Sequence, residues 1–106
     1  MSDRELLEAA AKAAGMVLTW EGPDHDQPQT LCKGAWNPRA YDGDALRLAV
    51  TLQIDVKHYG DHVVAWFDGG YIGTGRIPYD GDPFAATRLA IVRAAAETAR
   101  EKGAEG

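Results

Sequence analysis

The tetrapeptide Tyr-Asp-Gly-Asp is written twice in this chain, at Tyr41–Asp44 and at Tyr79–Asp82. Each copy leads into an Arg-Leu-Ala run that ends in a β-branched residue, Arg47–Val50 and Arg88–Ile91. An acidic turn that opens onto an apolar-striped segment reads as a helix start. The repeat thus anchors two helices and confines the remaining elements to the stretches around them. The segments before the two copies differ, and the second holds three extra residues before its arginine. That points to repeated helix-start chemistry and not to a solenoid.

The rest of the chain divides around these anchors. Ser2-Asp3-Arg4-Glu5 has the spacing of a capping box, with Ser2 as the cap. Leu6, Leu7, Ala10, Ala13 and Ala14 recur at helical spacing and Gly15 supplies a stop, so a first helix covers residues 3–14. Met16–Trp20 reads as a strand, Gly22–Pro28 as a polar loop, and Thr30–Trp36 as a second short strand. The second helix is capped by Asp42 or Asp44. Its Ala45, Leu46, Leu48, Ala49, Val50 and Leu52 cover a wide apolar arc, which predicts deep burial. Ile54–Tyr59 alternates, Gly60-Asp61 is a hairpin turn, and His62–Phe67 returns. Tyr71–Ile77 makes a third strand weakened by Gly73 and Gly75. The last helix has Asp82 as cap and Pro83 at its first position. Phe84, Thr87, Leu89, Ile91 and Val92 begin its buried side, and Gly103 is its stop.

The expected fold is α+β and two-layered: an antiparallel β-meander with helices packed on one face, in the order α-β-β-α-β-β-β-α. Residues 1–103 form one domain and residues 104–106 a frayed tail. A net charge of −5 gives no basic footprint for nucleic acid, and no stretch of about eighteen apolar residues reads as a membrane span. The lone Cys32 fits a reducing compartment, so the expected location is the cytoplasm.

Four carboxylates sit at the two helix entrances: Asp42, Asp44, Asp80 and Asp82. Together they could hold a hard divalent cation. A loop of the EF-hand type fails, because its later ligand positions would fall on Leu46–Val50. The plainer reading makes Asp44 and Asp82 helix caps, as Ser2 is for the first helix, and gives the glycines to tight turns. His25, His58, His62 and Cys32 lack zinc-site spacing. The sole serine, Ser2, is committed to a cap, and no cofactor motif is present. Among the aromatics, Trp66 and Phe67 are strand neighbours and must face opposite ways. One of them therefore leaves the core. An aromatic beside acidic turns is raw material for a partner contact, which nominates Trp66, Asp68, Tyr71, Tyr79 and Asp80.

Three blocks also carry a family resemblance. They are the opening Asp3–Gly15, the stretch Trp36-Asn37-Pro38 with Asp42–Val50, and Gly81–Ala95. They resemble small proteins of tailed phages and prophages of proteobacteria, among them the NinX-like domain of unknown function. The resemblance implies a protein that acts inside a bacterial host and carries over no catalytic residues. The expectation is a non-enzymatic accessory protein that binds a host or phage protein, as an inhibitor of a defence or nucleic-acid-handling complex. Two alternatives stand beside it. One is a small-molecule or divalent-cation binder using the Asp-Gly-Asp turns. The other is a structural protein that self-associates through an open sheet edge.

Overall fold

Local signals at the helix ends act much as the sequence dictates. In a computed structural model, which describes residues 2–30, 34–67 and 72–105, the first helix α1 runs over Asp3–Ala13. Ser2 Oγ accepts from Glu5 N at 3.2 Å, and the Glu5 carboxylate reaches back to Ser2 N, closing the capping box. At the other end Gly15 adopts φ +74°. Gly15 N then donates to Lys12 O and Met16 N to Ala11 O, so the last carbonyls are satisfied.

Strands β1 (Leu18–Glu21), β2 (Gln27–Thr30) and β3 (Gly34–Ala35) form an antiparallel sheet in that order. Of the stretch expected as one strand, Thr30–Trp36, Thr30 ends β2 and Gly34–Ala35 form β3, and the polar loop gives its end to β2. Trp36 N donates to Pro28 O at 3.0 Å. Pro28 can accept but not donate, and that limits the pairing on this strand. Trp20 ties the sheet to α1: its Nε1 donates to Glu8 Oε1 at 3.0 Å and Arg4 lies 4.4 Å over its ring.

Helix α2 covers Asp42–Leu52 and leads through Gln53 into β4 (Asp55–His58). Gln53 takes the left-handed conformation at φ 55°, where Ile54 N donates to Ala49 O at 2.8 Å. Strand β5 (His62–Phe67) returns beside β4 through the two-residue turn, closed by Tyr59 N donating to His62 O. On its far side β5 pairs with β6 (Ile72–Gly73) and then β7 (Ile77–Pro78). The third strand is therefore broken. Trp66 pairs with Gly73 and Val63 with Ile77, so the returning chain spends one residue more than β5 between the two pairs. This is a bulge, with Gly75 at φ +76° inside it. The observed order is α-β-β-β-α-β-β-β-β-α, an antiparallel α+β fold with both extra strands arising from these interruptions.

Helix α3 (Pro83–Glu105) is the centrepiece. Ala90, Val92, Ala94 and Ala95 are fully buried because α1, α2 and β5 all pack on this helix. Small side chains let three neighbours approach one axis. Val63, Ala65 and Phe67 point from β5 into the same core, which also takes Leu7, Trp36 and Leu48. The helix passes through Gly103 to Glu105, so that glycine is not the stop. A glycine inside a last turn costs only about 1 kcal/mol and removes no donor.

Two burial expectations are overturned. Leu46 and Val50 of α2 and Phe84 of α3 are 64 %, 69 % and 69 % exposed. The apolar arc of α2 is wider than its main neighbour, α3, covers.

Candidate functional site

The two Tyr-Asp-Gly-Asp copies fold differently, and the cause is the next residue. In the second copy Pro83 disfavours helical geometry at Asp82, so the helix must begin at the proline. Asp80 and Gly81 then form a turn with φ +50° and +86°, and Asp82 Oδ1 accepts from Ala85 N at 3.0 Å. Asp82 is the cap expected of it. In the first copy Ala45 follows, nothing bars the helix, and it starts at Asp42. Tyr41 holds the cap position without a side-chain bond. Asp44 is consequently not a cap. It lies in the first turn, buried, with Oδ2 accepting from Asn37 N at 2.9 Å and Oδ1 from Arg47 at 2.7 Å.

The arginine of the second copy links the two. Arg88 Nη1 donates to Asp42 Oδ1 at 2.6 Å, and its Nε donates to Arg39 O at 2.8 Å. Arg39 in turn pairs with Asp3. Asp42 and Asp44 are thus each spent on an arginine. Among the described residues no three His, Cys, Asp or Glu side chains gather as metal ligands, so the four aspartates do not form the cation site considered above.

The partner-contact residues of the meander separate. Phe67 faces the core and Trp66 the opposite, outer face of the sheet, half-buried over Gly73. Tyr59 stacks on His62 at 4.5 Å next to the hairpin turn. Tyr79 packs against the core and its hydroxyl donates to Tyr59 O at 2.8 Å, which fixes the ring. Asp80 is exposed in its turn. Asp68 and Tyr71, like Cys32, lie outside the described residues.

The largest exposed apolar side chains near one another lie elsewhere. Two adjoining hollows of about 340 and 450 Å³ share Leu46, His58, Thr87 and Ile91. Together they make one groove between α2, the start of α3 and strand β4. Phe84 stands at one end beside Asp42, and Gln53 and Asp55 at the other. Leu46 and Val50 line its α2 wall. His58 Nε2 lies 2.9 Å from Thr87 Oγ1, whose own proton goes to Pro83 O at 2.7 Å. The hydroxyl must therefore accept, and His58 donates from Nε2. The groove wall is thereby tied to α3. The signal available in sequence is the width of the α2 apolar arc, which exceeds what burial uses and leaves a free surface.

Comparison with protein-family models, with curated proteins and with solved structures finds no match to this chain. Among the described residues no helix is long and apolar enough to cross a membrane.

Proposed function

We propose that this chain is a non-catalytic binding protein that recognises another protein through the groove between α2 and α3. One observation carries the proposal: Leu46, Val50 and Phe84 are each about two-thirds exposed around the same groove. Large apolar side chains clustered on a surface mark an interaction site, whereas scattered ones do not. Covering the three would return roughly 1–2 kcal/mol each, enough to make them the centre of an interface. The net charge of −5 favours a basic partner surface. The resemblance to small phage proteins supplies the proposed setting, a bacterial cytoplasm in which the partner is a host or phage protein of a defence or nucleic-acid-handling complex.

The test compares immobilised wild type with the double variant Leu46→Ser and Phe84→Ser. Both positions are exposed, so the variant should melt with the wild type. A protein retained from bacterial lysate in stoichiometric amount by wild type and lost by the variant is the expected result. Equal retention by both, or none by either, rejects the groove as the binding surface.

The outer sheet face is the second reading. The half-exposed Trp66 and the Tyr59–His62 stack favour it. In that case Trp66→Ala removes the retained protein and the groove variant does not.

A further inference from the structure

The groove has a feature that an ordinary apolar cleft lacks: one of its walls is an open sheet edge. Strand β4 pairs with β5 on one side, and among the described residues no strand pairs with it on the other. Tyr59 N donates to His62 O, which makes that facing pair hydrogen-bonded. Alternation along an antiparallel ladder then turns the groups of Lys57 and Asp55 toward β5. The N–H and C=O of Val56 and His58 are left pointing outward along the edge. The same two residues carry their side chains toward the helices: Val56 packs on the core and His58 bonds Thr87 of α3. An added strand would lay its own alternate side chains on the same side, over Leu46, Val50 and Ile91.

We infer that the groove takes an extended peptide segment of a partner protein, which adds as a strand to the free edge of β4 and seats alternate apolar side chains between α2 and α3. This rests on the groove being the binding surface, as proposed above. Backbone pairing supplies affinity in such a mode, and the pockets for every second side chain supply selectivity. The charges define the segment further. Asp55 is exposed at one end of the groove, while Asp42 at the other end is already paired with Arg88. A lysine or arginine at the end of the segment nearest Asp55 complements it. A second copy of this chain is a poorer occupant. Each copy carries a net charge of −5, and β4 is only four residues long with Asp55 and Lys57 on it, features that discourage edge-to-edge pairing of like chains.

The probe is a displayed library of short random linear peptides, selected on the full chain and counter-screened on Leu46→Ser. Selected sequences should place apolar residues at every second position, with a basic residue at one end. The best peptide is then N-methylated at alternate amides in the two possible phases. Methylation in the phase that faces β4 should weaken binding at least about tenfold, while the other phase leaves it unchanged. The bound peptide should also slow amide exchange at Val56 and His58. Apolar residues at helical spacing, with no dependence on methylation phase, would overturn strand addition while leaving the groove as a binding surface. Peptides that bind Leu46→Ser as well as wild type would remove both readings. No enrichment, or protection of Val56 and His58 by concentration alone without peptide, would overturn the partner peptide, the latter result in favour of a second copy.

Discussion

Replacing Gly73 by alanine tests the sheet bulge and the seat of Trp66 at once. A Cβ on Gly73 would stand 2.6 Å from Trp66 Cδ1, 2.9 Å from its Nε1 and 3.3 Å from Ala65 O. Carbon atoms in contact prefer about 3.5–4.0 Å, so the indole must move by close to an ångström. The Ala65 carbonyl belongs to the central strand and cannot yield in its place. Trp66 therefore leaves its seat. If it gives up roughly 50–100 Å² of apolar contact, the loss is about 1–2.5 kcal/mol. Against this, alanine restricts the unfolded chain and returns about 0.4–1 kcal/mol. The net expectation is destabilisation of up to about 2 kcal/mol.

The sign should reverse when the indole is absent. In a Trp66→Ala background the main clash is gone and the entropic gain remains, so Gly73→Ala should stabilise by a few tenths of a kcal/mol or more. The coupling between the two positions is then about 2 kcal/mol, well above the few tenths expected of independent sites. Urea unfolding followed by far-ultraviolet circular dichroism measures all four proteins. The reasoning fails if Gly73→Ala stabilises the wild type, or if it has the same effect in both backgrounds. In the second case Trp66 does not occupy Gly73 and its place on the outer face would have to be redrawn.

The two acidic turns should differ in cost although their sequences agree. Asp44→Ala leaves the Asn37 N–H without its buried acceptor and should cost about 2–3 kcal/mol, while Asp82→Ala removes a cap worth about 1 kcal/mol, both read by urea unfolding. Equal losses would contradict the different roles assigned to them. Gln53→Gly relieves a left-handed residue at the end of α2 and should raise stability by about 0.5–1 kcal/mol, with a lower urea midpoint counting against that geometry. Asp61 accepts a hydrogen bond from His62 Nδ1 at 2.6 Å, and this bond, then the attraction of the His62 ring, holds its carboxyl below the ordinary 3.8. A depressed folded value means the contribution is full above 3.8 and is lost as pH falls through the lowered value. Asp61→Asn should accordingly melt below wild type above that pH, and the gap should close in stronger acid; a gap that stays constant across this range would remove the assignment.

The helices were legible because their start signals are local. Ser2 with Glu5, and Asp82 with Pro83, need only a few neighbouring residues to work, and both act in the fold as their spacing implies. The strands were less legible because a bulge is a relation between two strands. Gly73 and Gly75 announce that the third strand is weak, but the extra residue appears only when the stretch is set against β5. Asp44 was misjudged for a similar reason. Its partners are Asn37, which lies outside the helix, and Arg47, and no cap rule applied to the tetrapeptide could prefer them. The repeat misled by looking complete at four residues, when the fifth, alanine or proline, decides where the helix begins.

The groove was hidden by the same limit at a larger scale. Periodicity reports how much apolar surface a helix offers, and not how much its neighbours can cover. The apolar arc of α2 is met mainly by α3, and α2 joins β4 through the left-handed Gln53. Leu48 and Ala49 reach the core from that position, and Leu46 and Val50 cannot. Among the described residues, the connection that leaves those two side chains uncovered also leaves the outer edge of β4 without a partner strand. Exposed apolar surface and unmet backbone groups therefore arise together from one short link, Gln53-Ile54. Each is a liability if nothing binds there. An extended peptide is the ligand form that satisfies both, since a helix could cover the side chains but has no backbone groups to offer the edge.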